Sequence, residues 1–367
     1  MQSVFLCGPL SHAPLLAAIL GAAPSLIPAG IAGWAGQSVD RPGHFALVRR
    51  DGATVNGVTL LDVTPDIVAR LDFYAKAVGL EQRTVTMLHE TVPERAVTFA
   101  LEATVRTGPW DADLWLANHA ALAVETATQL MVSFGQIPPA RLHARLGPIM
   151  VRADSRLRAR AETAPHTTRR PPERVAEQAR REPYAHFFAV EEYDLSFRRF
   201  DGTMSPVITR AAFVSADAVT VLPYDPQRDR ILLVEQMRTG PFGRGDGNPW
   251  QLEAIAGRID PGETPEDCAR REASEEAGLT LGTLLPVANY YPSPGAKTEF
   301  IYSYVALTDL PDGAAGVFGV EDEAEDIRGH LVNFDQAMAL IATGEIQNAP
   351  VVLTLFWLQH ERARLRA

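Results

Sequence analysis

The sequence predicts a two-domain protein of the α/β (α+β) class. Three observations lead there. The chain has 367 residues, and at about 150 residues per domain that length suggests two domains. Short alternating or β-branched runs, such as Phe45–Val48, Val219–Leu222 and Ile231–Val234, read as strands, while Pro265–Ala277 carries helix start and stop signals. Composition also changes near residues 136 and 186 and divides the chain into three zones.

Residues 1–135 are apolar and rich in Gly and Pro. Phe45–Val48 and Val58–Leu61 are expected strands. Trp110–Gln129 is an expected helix, with Leu114 and Leu122 among many alanines. Residues 136–185 are crowded with arginines, among them Arg152, Arg156, Arg158, Arg160, Arg180 and Arg181, around Pro165, Pro171 and Pro172. That pattern reads as a helical, Arg-rich linker, a solvated connector rather than a nucleic-acid arm. Residues 186–367 return to regular patterning. Strands are expected at Phe187–Phe197, Val207–Phe213, Val219–Leu222, Ile231–Val234, Val287–Tyr291 and Phe300–Ala306. Helices are expected at Pro265–Ala277, Asp335–Thr343 and from Pro350 onward.

Composition narrows the function. Asp plus Glu number 45 against 34 Lys plus Arg, a net charge of −11. Duplex nucleic acid needs clustered cations to neutralise phosphate, so no nucleic-acid partner is expected. Hydrophobic residues make up 46% and charged residues 22%, which is globular rather than disordered. The apolar stretch Val4–Trp34 is broken by Pro9, Pro14, Pro24 and Pro28, so no membrane span is expected, and no Lys or Arg precedes the first apolar run, so no secretory leader is expected. Two distant cysteines, Cys7 and Cys268, form no metal knuckle and fit a reducing, cytoplasmic setting.

The chemistry concentrates between Gly257 and Leu279. Thr264 is a good N-cap, Pro265 suits the first helical position, and Glu266 and Asp267 complement the positive helix end. Gly278 is a natural stop. On that helix Glu272, Glu275 and Glu276 fall within about a third of a turn, beside a small-residue stripe of Ala269, Ala273 and Ala277. Like charges at this spacing cost about 0.2–0.5 kcal/mol per pair. An exposed acidic face with Arg271–Glu275 pairing is one account; oxygen ligands for a hard divalent cation that also binds phosphate are the other.

The whole spacing decides between them. Gly257, Glu263, Arg271, Glu272, Glu275, Glu276, Gly278 and Leu279 occupy every fixed position of the Nudix box. The segment is therefore identified as that of a Nudix hydrolase. The flanking stretches Leu222–Pro226, Leu233–Arg238, Ser293–Gly295 with Glu299, and Glu323–Arg328 resemble the ADP-ribose pyrophosphatase branch. GDP-mannose hydrolases resemble them closely too. The resemblance implies an α/β/α sandwich with a mixed sheet over residues 186–367, and a homodimer formed through its N-terminal strands.

It also implies roles. Glu272, Glu275 and Glu276 would hold Mg²⁺ or Mn²⁺, with the carbonyl of Ala256 and with Glu325; Glu323 is the candidate base for the attacking water, with Glu325 the alternative. Glu263 would support the loop with Gly257, Arg271 and Gly278. Arg210, Arg238, Ser293, Gly295 and Glu299 would contact the nucleoside diphosphate sugar. Ala211 stands where the family pattern has an acidic residue. A protein that binds nucleotides without turnover is the alternative of another class, and the intact glutamate set argues against it.

Residues 1–135 resemble a gamma-glutamylcyclotransferase-like domain, a β-barrel with helices. The similar stretches are Val4–Leu10, Gly33-Trp34, Phe45–Val48, Gly57 and Leu71–Tyr74. Cys7 and Pro9 replace the tyrosine and hydroxyl residue of the family's turn, and Ala75 stands at the catalytic glutamate's place. Glu81 is the nearby carboxylate that would have to substitute. The resemblance thus implies a pocket without cyclotransferase chemistry.

Overall fold

A computed structural model describes residues 3–39, 44–89, 92–101, 106–162, 167–171, 173–320 and 325–367. It divides into two compact units, Met1–Pro165 and His166–Ala367.

The first unit contains strands β1 (Ser3–Cys7), β2 (Leu26–Val39), β3 (Phe45–Leu60), β4 (Glu81–His89), β5 (Val92–Ala100) and β6 (Arg106–Pro109). Its helices are α1 (Ala13–Leu20), α2 (Pro65–Ala77), α3 (Ala112–Asn118), α4 (Ala120–Val132), α5 (Pro139–His143) and α6 (Leu146–Ala161). The sheet runs β3-β1-β5-β4-β2-β6, and a further β2–β3 pairing curls it into a barrel. β1 and β5 are parallel, the other pairs antiparallel. Gly57 on β3 is required by the close approach of β1, because a Cβ there would strike the Leu6 carbonyl and the Phe5 ring. Thr64 caps α2 by accepting the Ile67 N–H at 3.3 Å.

The second unit contains β7 (Ala176–Ala185), β8 (Ala189–Ser196), β9 (Ile208–Val214), β10 (Ala218–Asp225), β11 (Arg230–Met237), β12 (Trp250–Glu253), β13 (Ile255–Arg258), β14 (Leu284–Tyr290), β15 (Ile301–Leu307), β16 (Val317–Phe318) and β17 (Ile327–Asn333). Its helices are α7 (Thr239–Arg244), α8 (Pro265–Ala277), α9 (Phe334–Thr343) and α10 (Ala349–Leu365). The main sheet is ordered β14-β15-β10-β11-β17-β16, with β13 on β10 and β12 on β11. β10 and β15 are parallel and the rest antiparallel, so the sheet is mixed.

Strand alternation assigns its two faces. Val219, Val221, Leu232 and Val234 pack with Cys268, Ala269, Ala273 and Ala277 of α8. Leu222, Tyr224, Ile231 and Leu233 pack with Phe334 and Ala337 of α9 and Val351, Leu355 and Leu358 of α10. The result is an α/β/α sandwich. The alanine stripe is fully buried and lets α8 approach closely.

Two expectations are corrected. The helix expected over Trp110–Gln129 is two helices, broken at His119 (φ −129°, ψ −19°). Much of the segment expected as a linker, 136–185, belongs to the two units themselves. α5 and α6 supply Leu142 and Ile149 to the first core, and β7 pairs with β8 in the second unit. Several of its arginines pair with carboxylates outside it, while Arg158 pairs with Asp154 one turn away. Arg156 and Arg160 pair with Glu125, and Arg181 forks Asp194 at 2.7 and 2.8 Å.

Asp229 ties α10 to the β10–β11 turn. It accepts from Tyr224 Oη (2.8 Å), Arg362 Nε (3.0 Å) and Arg366 Nη1 (2.9 Å). The Arg362 hydrogen bond, foremost, holds its carboxyl below the usual range. A depressed carboxylate contributes stability above its unfolded pKa and loses it as pH falls through the folded one. Asp229→Asn, which tolerates the local φ of 53°, is expected to lose about 1–3 kcal/mol at pH 7. Denaturant unfolding should show the difference shrinking below about pH 4.

Candidate active site

β13 leads through the loop Ile259–Thr264 into α8. Thr264 accepts the Asp267 N–H at 3.1 Å, and Gly278 ends the helix at φ 62°. A Cβ at Gly257 would fall inside the Glu272 carboxylate. The box glycine is therefore what lets that carboxylate lie on the strand backbone.

Arg271 organises the acidic face. Its Nε and Nη2 donate to the two oxygens of Glu263 at 2.9 and 3.0 Å. Nη1 donates to Glu272 (2.7 Å) and Glu275 (3.0 Å), and Nη2 also reaches the Arg258 carbonyl at 2.9 Å. Glu263 accepts the Asp260 N–H at 3.0 Å. Burial works against its charge, but the Arg271 fork and that N–H more than offset it and hold its pKa below the usual range.

Glu272 and Glu276 are different. Burial pushes Glu272 up to about 7, although Arg271 opposes the shift. Glu276 is 2% exposed and accepts the Ala256 N–H at 3.1 Å. Burial, reinforced by the charges of Glu272 and Glu325, pushes it up to about 8. A buried carboxylate beside a partly buried one that repels it is a configuration that a divalent cation relieves. Their hard oxygens fit such an ion. No three His, Cys, Asp or Glu among the described residues already stand gathered around a metal position.

Glu325 accepts the Val320 N–H at 3.1 Å, and its charge is felt at Glu272, Glu276 and Arg238. Glu323 lies outside the described residues. Arg238, at the end of β11, donates through Nε and Nη2 to Glu253 at 2.9 and 2.7 Å. Burial disfavours its charge, and Glu253, Glu276 and Glu325 outweigh that. Glu253 also accepts Asn348 Nδ2 at 2.9 Å, so the cap residue of α10 helps orient Arg238. Sequence reasoning passed over both. The signal for Glu253 was a lone acid in an apolar run just before the box; the structure leaves it only 5% exposed.

Arg210 lies on β9 and donates to the Thr209 carbonyl at 2.9 Å. The loop carrying Ser293, Gly295 and Glu299 is stitched to that strand, since Phe213 N–H donates to the Ala296 carbonyl (2.8 Å) and Thr298 N–H to the Phe213 carbonyl (3.1 Å). Glu299 accepts Lys297 Nζ at 3.4 Å. An aromatic bridge then reaches the box. Phe213 packs on Phe188 at 4.7 Å, and the Arg258 guanidinium lies 4.6 Å from Phe188 and 3.9 Å from Phe187.

An α/β/α sandwich that sets a glutamate-lined helix against a glycine strand defines a hydrolase of the Nudix class. The NUDIX domain family matches residues 214–355. The ADP-ribose pyrophosphatase of Escherichia coli (strain K12) is 41% identical over 186 residues, covering 50% of this chain and 88% of that protein. The GDP-mannose pyrophosphatase of Enterobacter sp. (strain 638) is 34% identical over 151 residues, 41% of this chain and 77% of that one. A solved structure described as an ADP compounds hydrolase has 20% identity and a TM-score of 0.43, covering 54% of this chain and 100% of that one. The chain belongs to the Nudix family, whose hydrolases are generally dependent on a divalent metal. No helix among the described residues is long and apolar enough to cross a membrane.

Proposed function

We propose that the second unit hydrolyses the pyrophosphate of ADP-ribose to AMP and ribose 5-phosphate. The observation that carries this reading is the Glu272–Glu276 pair, with Glu276 buried, on a complete box, within 186 residues that are 41% identical to an ADP-ribose pyrophosphatase. Glu272, Glu275, Glu276 and the Ala256 carbonyl hold Mg²⁺ or Mn²⁺, with Glu325 beside them. When bound, the cation supplies neutralising charge to the phosphates and Lewis acidity. Glu323 or Glu325 takes the proton of the attacking water. Arg238, already aimed by Glu253, forks a phosphate. Arg210, Ser293, Gly295 and Glu299 line the nucleoside end.

GDP-mannose is the second substrate reading, favoured by the 34% identical relative. Chromatographic product analysis with Mg²⁺ and a panel of nucleoside diphosphate sugars tests both. AMP from ADP-ribose as the fastest reaction supports the first, GMP from GDP-mannose the second, and no turnover of any compound defeats both.

The enzyme is proposed to be a cytoplasmic homodimer through the second unit. β7, β8 and β9 form a separate three-stranded sheet, with Tyr184, Phe187, Phe197 and Val207 exposed on or beside it. Such a surface calls for a cover. Light scattering on residues 166–367 is expected to give twice the chain mass, and a monomer at micromolar concentration contradicts the idea.

The first unit is proposed to be a gamma-glutamylcyclotransferase-like barrel without that activity. Ala75 is 1% exposed in the core and carries no base, and Glu81 is an exposed residue beside Arg83. General-base catalysis contributes about 10²–10⁴-fold, so 5-oxoproline release from gamma-glutamyl dipeptides is expected to be negligible. Robust release abolished by Glu81→Gln would make the protein bifunctional.

A further inference from the structure

The chain reaches Glu325 through a strand with little backbone support. β16 is two residues long, with Val317 paired to Arg328 and Phe318 to Ile327. One further bond, from the Gly329 N–H to the Gly316 carbonyl at 2.8 Å, extends that ladder. Val317 faces solvent, 70% exposed, and Phe318 turns to the other side, as strand alternation requires.

The Phe318 ring has a fitted seat. A Cβ on Gly278 would lie 2.8 Å from its Cε1, and a Cβ on Gly316 would lie 2.8 Å from its Cε2. Side chains do not pack that closely, so the ring occupies a slot between two residues that lack one. Gly278 is already needed at φ 62° to stop α8. Gly316 has no left-handed backbone to explain it. Beyond the ring, Gly319 stands at φ 120°, and a Cβ there would meet Glu325 Cβ at 2.8 Å. Val320 then brackets the same residue: its N–H donates to Glu325 Oε2 at 3.1 Å, and its carbonyl accepts the Glu325 N–H at 3.4 Å. On the far side, Ile327 is fully buried in the core that holds α8.

We propose that Phe318 is a positioning residue: its ring, seated between Gly278 and Gly316, fastens the end of the box helix to the strand that presents Glu325 and so fixes that carboxylate. The role rests on the pyrophosphatase reading, in which Glu325 stands beside the metal-holding glutamates. Gly278 thereby acquires a second task, since it ends the helix and also receives the ring. Phe318 touches no reacting atom and acts only through Glu325.

Two measurements on the full chain test this. The first needs neither metal nor substrate. Hydrogen exchange at the Val320 amide, read by NMR, should be faster by about tenfold or more in Phe318→Ala, because the turn bonded to Glu325 opens. Gly316→Ala keeps the ring but drives a methyl into its seat, and the same change is expected. The second is a cycle of kcat values with ADP-ribose and Mg²⁺. Phe318→Ala should lower kcat by about 10–100-fold. In a Glu325→Gln background it should cost less than about twofold more, whereas independent losses would multiply to within about twofold. Unchanged Val320 exchange in both variants, or losses that multiply in the cycle, would overturn the proposal. If the parent hydrolysed no nucleoside diphosphate sugar, the pyrophosphatase reading would fail, and the exchange comparison would still decide whether Phe318 holds Glu325.

Discussion

Glu276→Gln is expected to lower kcat by about 10²–10⁴-fold while the protein stays folded. The side chains are isosteric, and the amide oxygen can still accept the Ala256 N–H that Glu276 Oε2 accepts at 3.1 Å. What disappears is the charge. Glu276 is 2% exposed, and burial already pushes its carboxyl up to about 8. Without metal, a neutral amide is easier to bury than a carboxylate above that pH, so the variant's metal-free Tm at pH 8.5 should equal or exceed that of the parent. Lost turnover at saturating Mg²⁺ therefore cannot be ascribed to unfolding. Near-native kcat would remove Glu276 from the reaction.

That site was legible in the sequence because its geometry is local. Gly257 and Glu272 are 15 positions apart but meet through one strand–loop–helix turn, so fixed spacing encodes their contact. The cap at Thr264 and the stop at Gly278 act on their own helix and needed no tertiary information. The run Val219–Leu222 likewise announced a strand, and the structure buries it on both faces. What escaped depends on partners distant in sequence. Asn348 and Glu253 are 95 residues apart and meet only when α10 docks on the sheet. Arg160 read as a solvated charge because its partner, Glu125, is 35 residues away. β7 was hidden by Arg180 and Arg181, whose carboxylates lie on the next strand. His119 breaks its helix with no Gly or Pro beside it, so pattern alone carried the helix through.

Arg271→Lys is the second large effect expected. The guanidinium makes two contacts to Glu263 and one each to Glu272 and Glu275. It thereby fastens the loop before α8 to the helix and fixes the carboxylate fan. A lysine keeps the charge but has no planar fork, so it cannot hold both oxygens of Glu263 and still reach Glu272. Glu263, 15% exposed at its side chain, is then left partly unpaired. Hydrogen bonds to charged groups contribute about 1.5–3 kcal/mol, and a loss of that order is expected in stability. Displacing groups that orient metal ligands typically costs about 10–100-fold, and kcat should fall by that amount. The concentration of Mg²⁺ giving half-maximal rate should rise alongside, because Glu272 loses its brace. Arg271→Ala should be worse on every measure, since it also leaves the acidic face without a cation. If the lysine variant matched the parent in Tm, kcat and Mg²⁺ dependence, Arg271 would act through its charge alone and the fork would be irrelevant.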